Sequence, residues 1–319
     1  MKDLLIHYSV GALLYCPANN ASIVNSIITE RFGSKYSLAL CLEDTIGDNF
    51  VKEAEHTLIT SLNEIQKNKI SNDFYIPKIF IRVRYPEQIS SLYESLGDAK
   101  TLVTGFIAPK FSLDTVDSYI EIIKDINKTS PRKVYIMPIF ESPTIINLQN
   151  RYNILYTLKN KLDSISEYVL NIRVGGNDLC HSFGFRRASD ETIHDIKPIS
   201  NIFADIITVF GMDYVISGPV WEYYNGPNWD TGLTKELKLD RLCGFIGKTV
   251  IHPKQIELVN EAYKVSENDL ADAHSILDWN DNTDSMVAGN SNKERMNEYK
   301  THFNWARTII YLSEYYGVR

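Results

Sequence analysis

Long apolar runs are missing from this 319-residue chain, and none reaches the length that a membrane-spanning helix needs. The opening stretch MKDLLIHYSVGALLYC is interrupted by Asp3 and His7 and does not read as a secretory leader. Surplus positive charge is missing as well. Lysines and arginines number 33 against 40 aspartates and glutamates, a formal net charge of −7. Gripping a phosphate backbone needs a clustered basic surface, so no nucleic-acid partner is expected. Cysteine is scarce: Cys16, Cys41, Cys180 and Cys243 form no CxxC pair, which argues against zinc. Three of them lie in or beside apolar runs, where a reduced, buried thiol is expected. No internal repeat occurs at solenoid period. These absences point to a cytoplasmic protein with neither a membrane nor a nucleic acid as partner.

Hydrophobic content of 44% and charged content of 23% are ordinary for a soluble globular chain. The length allows one barrel-sized domain or two smaller ones. The stretch 169–179, VLNIRVGGNDL, organises the rest. Val169, Leu170, Ile172 and Val174 make a strand suited to burial on both faces of a parallel sheet. The strand breaks at Gly175-Gly176, and Asn177 and Asp178 follow. Two glycines permit a sharp turn and bring N–H groups close to a ligand. A carboxylate beside such donors can hold a divalent ion and a substrate anion together. Alone, the stretch also reads as a plain Gly-Gly-Asn-Asp turn. A second run, VYIMPIFESP at 134–143, likewise delivers one acid, Glu141, at its exit. Two strands ending in carboxylates make a metal site plausible.

Taken in order, apolar runs predict strands at 11–17, 37–44, 75–83, 102–109, 134–140, 169–174, 214–217 and 248–251. Helical spacing lies between them at 20–32, 51–65, 115–126, 146–163, 198–210, 233–242 and 255–264. Eight strands alternating with helices fit a (β/α)8 TIM barrel over residues 1–264 better than an open doubly wound sheet. Residues 265–319 then form a C-terminal helical extension, two helices around a polar linker at 280–292. In such a barrel Glu43, Asp44, Arg82, Lys110, Glu141, Asp178 and Ser217 meet at one mouth.

The strand ends LLYCPAN, CLED (41–44), IRVR (81–84), Pro109-Lys110, Glu141, GGNDL (175–179) and GKTVIHPKQI (247–256) occur in one order at barrel spacing. Together they resemble the HpcH/HpaI aldolase and citrate lyase beta-subunit superfamily; each motif is weak, the ordered set is not. The segments SGPVWEYY (217–224) and HFNWARTII (302–310) are similar to a subgroup called C–C bond lyases of the TIM-barrel fold. The resemblance implies a Mg2+ ion held by Glu141 and Asp178. It implies substrate contacts from Arg82, Glu141, Lys110, Gly176 and Asn177, with Arg82 and Glu43 taking part in catalysis. The implied chemistry is aldol- or Claisen-type cleavage or condensation of a small carboxylate or keto acid, or its thioester, through a metal-stabilised enolate. Homo-oligomers are common in the superfamily, and one is expected here.

The chain departs from the superfamily at three places. Cys41 stands where an aspartate is common, and Arg84 where an asparagine is common. Met286-Val287-Ala288 occupies the place of an acid-bearing motif in the extension, which leaves the general base and the use of coenzyme A open. Arg84 suits a more anionic substrate or a salt bridge to Glu43 or Asp44. Glu43 and Asp44 read either as catalytic acids or as partners of Arg82 and Lys110. His252 reads as structural, His181 has no metal-ligand spacing, and Arg186-Arg187 reads as an anion site or as solvated and ion-paired. The aromatics at 221–229 line a substrate tail or pack under the extension. The alternative function is a barrel without catalysis, serving as a metal-dependent ligand-binding or assembly subunit.

Overall fold

Eight short strands carry the fold of the computed structural model, which describes residues 2–279 and 285–319. They are β1 Ala12–Pro17, β2 Ser37–Cys41, β3 Lys78–Arg82, β4 Val103–Ala108, β5 Tyr135–Phe140, β6 Ile172–Val174, β7 Ile216–Ser217 and β8 Lys248–Val250. All pair in parallel, in the order β7-β6-β5-β4-β3-β2-β1-β8. A bridge between Gly218 and Lys248 brings the two ends together, with the Gly218 N–H donating to the Gly247 carbonyl at 3.0 Å. The result is the TIM barrel that the alternation predicts. The apolar runs are continuous because helices cover the outer face while side chains fill the inside. Leu13, Leu38, Ile79, Phe106, Ile136 and Ile172 are accordingly fully buried.

Parallel pairing puts every strand's C-terminal end on one side, so acids and bases that follow the strands converge there. Several elements differ from the pattern, among them a helix at Glu87–Ser95 that the spacing does not predict and a sixth strand cut to Ile172–Val174. The predicted 20–32 helix is only Ile23–Ile28, because the chain adopts left-handed backbone at Glu30 (φ 50°) and Gly33 (φ 73°). The seventh strand shrinks to two residues. The Gly-Gly-Asn-Asp stretch is not a loop but the first turn of a helix, Gly176–Phe183, which ends on Gly184 in the left-handed conformation (φ 70°).

The chain divides into two compact units, Val10–Val259 and Met1–Ser9 with Asn260–Arg319. The first is the barrel. In the second, helices Glu267–Leu277 and Tyr299–Tyr316 pack together, and the Tyr8 ring of helix Lys2–Tyr8 stacks on Tyr311 at 4.8 Å. A hairpin of β9 Val287–Gly289 and β10 Met296–Glu298 stands where a polar linker is expected, and residues 280–284 of that linker lie outside the described residues. Arg295 fastens the hairpin region to this unit through Asp272 at 2.6 Å and Asp269 at 2.7 Å. Among the described residues no helix is long and apolar enough to cross a membrane.

Candidate active site

Five βα connections deliver the charged cluster. Glu43 and Asp44 follow β2, Arg82 ends β3, Lys110 follows β4, Glu141 follows β5, and Asp178 lies in the first turn of the helix after β6. Arg82 is its hub. The buried guanidinium places Nη2 at 2.8 Å from Glu43 Oε2, 3.0 Å from Asp44 Oδ2 and 3.0 Å from Glu141 Oε1. Lys110 Nζ lies 2.5 Å from Glu43 Oε1 and 3.3 Å from Asp44 Oδ1. Its backbone is left-handed (φ 47°), an unusual state for a lysine, and the Lys110 N–H donates to Glu141 Oε1 at 3.0 Å. Burial raises the Glu43 carboxyl against the pull of Arg82. Burial also acts on Asp44, but the hydrogen bond with Glu43 and the charges of Arg82 and Lys110 outweigh it and hold that carboxyl low.

Glu141 is buried, and burial raises its carboxyl to about 7; Arg82 opposes the shift and Asp178 adds to it. Both donors to Glu141 use Oε1. Oε2 instead faces Gly175, where a Cβ would come within 2.2 Å of it. This corrects the expected role of that glycine. Its φ is −98°, open to any residue, so it is required for space and not for a turn. Gly176 likewise packs tightly, its missing Cβ lying 3.0 Å from Ile193 and 3.1 Å from Pro219. The first-turn amides of helix Gly176–Phe183 have no carbonyl partner within the helix.

Those features test whether Mg2+ fits. Among the described residues no cluster of three or more Asp, Glu, His or Cys is arranged for a metal. Two acids are nevertheless in place. Glu141 Oε2 takes no donor, and the half-buried Asp178 carboxylate makes neither a hydrogen bond nor an ion pair with the described residues. Two neighbouring carboxylates with free lone pairs suit a hard cation that keeps water or substrate oxygens for the rest of its shell.

Other expected residues go elsewhere. Arg84 meets neither Glu43 nor Asp44: it pairs with Asp48 and donates to the carbonyls of Leu42 at 3.2 Å and Ile46 at 3.0 Å. Arg187 is buried against Glu236 (3.2 Å), with its guanidinium 5.1 Å over Trp221, while Arg186 is largely exposed. His252 stacks on Tyr224 at 4.9 Å and accepts from the Lys254 N–H. Trp221 is core, donating to the Trp229 carbonyl at 3.0 Å. The Gly-Lys and His-Pro-x-Gln motif is structural. Lys248 is buried between Glu236 (2.8 Å) and Asp240 (2.7 Å), and Gln255 ties Ile251 and His252 to the carbonyls of Trp221 and Tyr223.

Sequence reasoning missed Tyr15, Arg173 and Thr249. Arg173 lies in β6 and donates to Thr249 Oγ1 in β8 at 2.6 Å. The Arg82 guanidinium sits 5.8 Å over the Tyr15 ring of β1. Strands that are not neighbours touch only through the inside of the barrel, so these side chains point inward. The available signal was an arginine in the middle of an apolar strand.

The family of C–C bond lyases of the TIM-barrel fold matches residues 4–318, and the chain belongs to it. No curated protein matches the chain. Among solved structures, CitE from Mycobacterium tuberculosis in complex with magnesium, acetoacetate and coenzyme A is 16% identical, with TM-score 0.61 over 97% of this chain and 99% of that one. RipC from Yersinia pestis is 14% identical, with TM-score 0.54 over 80% and 95%. The citrate lyase beta subunit from M. tuberculosis with oxaloacetate and magnesium is 15% identical, with TM-score 0.51 over 81% and 98%. At these identities the likeness is one of fold.

Proposed function

We propose that the chain is a Mg2+-dependent carbon–carbon lyase that cleaves or forms a bond next to the carbonyl of a small keto acid or its thioester. The observation that carries this reading is the free pair of carboxylate edges, Glu141 Oε2 and Asp178, beside a buried arginine. Glu141 and Asp178 would hold the ion, which supplies a Lewis acid where negative charge develops on the substrate carbonyl oxygen. Arg82 keeps Nε without a partner and faces the same charge. The first-turn amides at Gly176 and Asn177 receive the substrate carboxylate. Lys110 holds Glu43 and Glu141 in register through its Nζ and its N–H. Glu43, raised by burial, carries the proton between solvent and the substrate carbon. The relatives with magnesium and acetoacetate or oxaloacetate support the substrate class, and the one that includes coenzyme A keeps a thioester within it.

A second reading, a ligand-binding barrel without turnover, is favoured by Ala288, which lies in the β9–β10 hairpin with no acid at that position. Exchange of the methyl protons of pyruvate in deuterated water, followed by NMR, separates the two. The lyase reading expects slow exchange that chelator and Asp178→Asn both abolish. Binding of pyruvate with exchange at the buffer rate would favour the second reading.

A further inference from the structure

Among the described residues, each of the other buried arginines has a carboxylate. Arg82 has Glu43, Asp44 and Glu141, Arg151 has Asp205, and Arg187 has Glu236. Arg173 has none. It is 1% exposed, its Nε and Nη1 have no hydrogen-bond partner, and its neutral neighbours are Thr249, which accepts from Nη2 at 2.6 Å, and the Tyr15 hydroxyl. An isolated buried charge is costly, and a guanidinium cannot shed its proton to escape. The groups around it are donors too. The Thr249 hydroxyl accepts from Arg173 and so keeps its own proton to donate, and the Tyr15 hydroxyl does the same beside Arg173 while its ring lies under Arg82. Tyr15 and Thr249 are half-buried beside the fully buried Arg173.

We propose that Arg173, Thr249 and Tyr15 form a second anion subsite, which takes an oxyanion group of the substrate distinct from the one beside Glu141 and Asp178. The substrate is therefore a dianion, with its further carboxylate or phosphate reaching across the barrel interior toward β6 and β8. This rests on the lyase reading only for the choice of keto acids as probes. It also moves the second substrate arginine from Arg84, which Asp48 occupies, to Arg173.

The test compares pyruvate, oxaloacetate and inorganic phosphate by calorimetry, with and without Mg2+, on the full chain and its Arg173→Met and Asp178→Asn variants. Arg173→Met removes an uncompensated charge at similar length, so its melting temperature should not fall, and lost binding cannot then be put down to unfolding. Wild type should bind oxaloacetate about tenfold or more tighter than pyruvate, as a lost charge-assisted hydrogen bond implies. Arg173→Met should bind the two alike with pyruvate unchanged. Phosphate that competes with oxaloacetate, and no longer binds Arg173→Met, would support a phosphate as the further group; phosphate inert beside a surviving oxaloacetate preference would support a carboxylate. An oxaloacetate preference that persists in Arg173→Met overturns the subsite, and so does a wild type that binds none of the three. Pyruvate binding indifferent to Mg2+ and to Asp178→Asn, with the oxaloacetate preference still lost in Arg173→Met, removes the metal reading and leaves the subsite standing.

Discussion

Gly175→Ala isolates the space that the carboxylate of Glu141 needs. The backbone there accepts alanine without strain, because φ is −98°. The added methyl, however, would lie 2.2 Å from Glu141 Oε2 and 2.3 Å from Glu141 Cβ, against an ordinary contact of about 3.5–4 Å. Rotating the side chain relieves the first contact but not the second, so the end of β5 or the start of the following helix must move by about 1 Å, a displacement large enough to matter at a site. Glu141 would then pull away from Arg82 Nη2 and the Lys110 N–H, hydrogen bonds to a charged group worth about 1.5–3 kcal/mol each. Mg2+ affinity by calorimetry should fall about ten- to a hundredfold, the range seen when the support of a metal ligand is lost. The control is Gly184→Ala, where φ is +70° and nothing lies within 4 Å of the added methyl. There the left-handed backbone alone should cost about 1 kcal/mol of stability and leave Mg2+ binding unchanged. Equal Mg2+ affinity in Gly175→Ala and wild type would refute the placement of the ion at Glu141 Oε2.

Arg82→Lys keeps the charge but, on a shorter and more flexible stem, does not hold a nitrogen where Nη2 meets Glu43, Asp44 and Glu141, so Mg2+-dependent pyruvate exchange should fall at least tenfold. NMR exchange rates at saturating pyruvate check this. The Glu141 carboxyl is raised from 4.5 to about 7 in the fold, so the folded state binds its proton more tightly than the unfolded chain. Metal-free stability is therefore highest below about pH 4.5 for this group and declines as pH rises toward 7, by about 3 kcal/mol at most. Urea titrations at pH 5 and pH 7 should show the decline in wild type and not in Glu141→Gln, and Mg2+ affinity should rise over the same window. Among the described residues, Lys248→Met leaves Glu236 with Arg187 as its one cationic partner and Asp240 with His194. It should lower stability by about 3–5 kcal/mol, read as the urea midpoint, because it strands buried acids.

The strands were legible because both their faces are covered, which makes each an unbroken apolar run such as 134–140 or 102–109. The acids and bases of the mouth were legible because they follow those runs directly. The same double burial hid Arg173: in a strand covered on both sides, periodicity does not say which residue faces inward, and one arginine among Val169, Leu170, Ile172 and Val174 carries no direction. The helix from Gly176 was hidden because its first residues, Gly-Asn-Asp, favour turns, while the glycines are there to let Ile193, Pro219 and Glu141 approach. Arg84 was misread because its partner Asp48 belongs to a short helical turn, Asp48–Phe50, that the 51–65 pattern does not include. Each miss is a tertiary contact overriding a local preference.

The charges of the mouth and interior can be read as two problems with two solutions. At the mouth Glu43, Asp44, Glu141 and Asp178 face only Arg82 and Lys110, which leaves two negative charges uncompensated when all four acids are ionised. The protein alone answers by raising Glu141 toward neutrality, an answer that weakens near pH 7. A divalent cation answers it fully and lets Glu141 ionise. Inside the barrel the imbalance has the opposite sign, since Arg173 meets donors and no acid. A cation cannot relieve that, and water relieves it only in part. On the proposed reading, a substrate bearing one anionic group for the ion and another for Arg173 would relieve both. The same balance would set the order of binding: the cation would precede the substrate, because without it the anion would enter against the acids that Arg82 and Lys110 leave uncompensated.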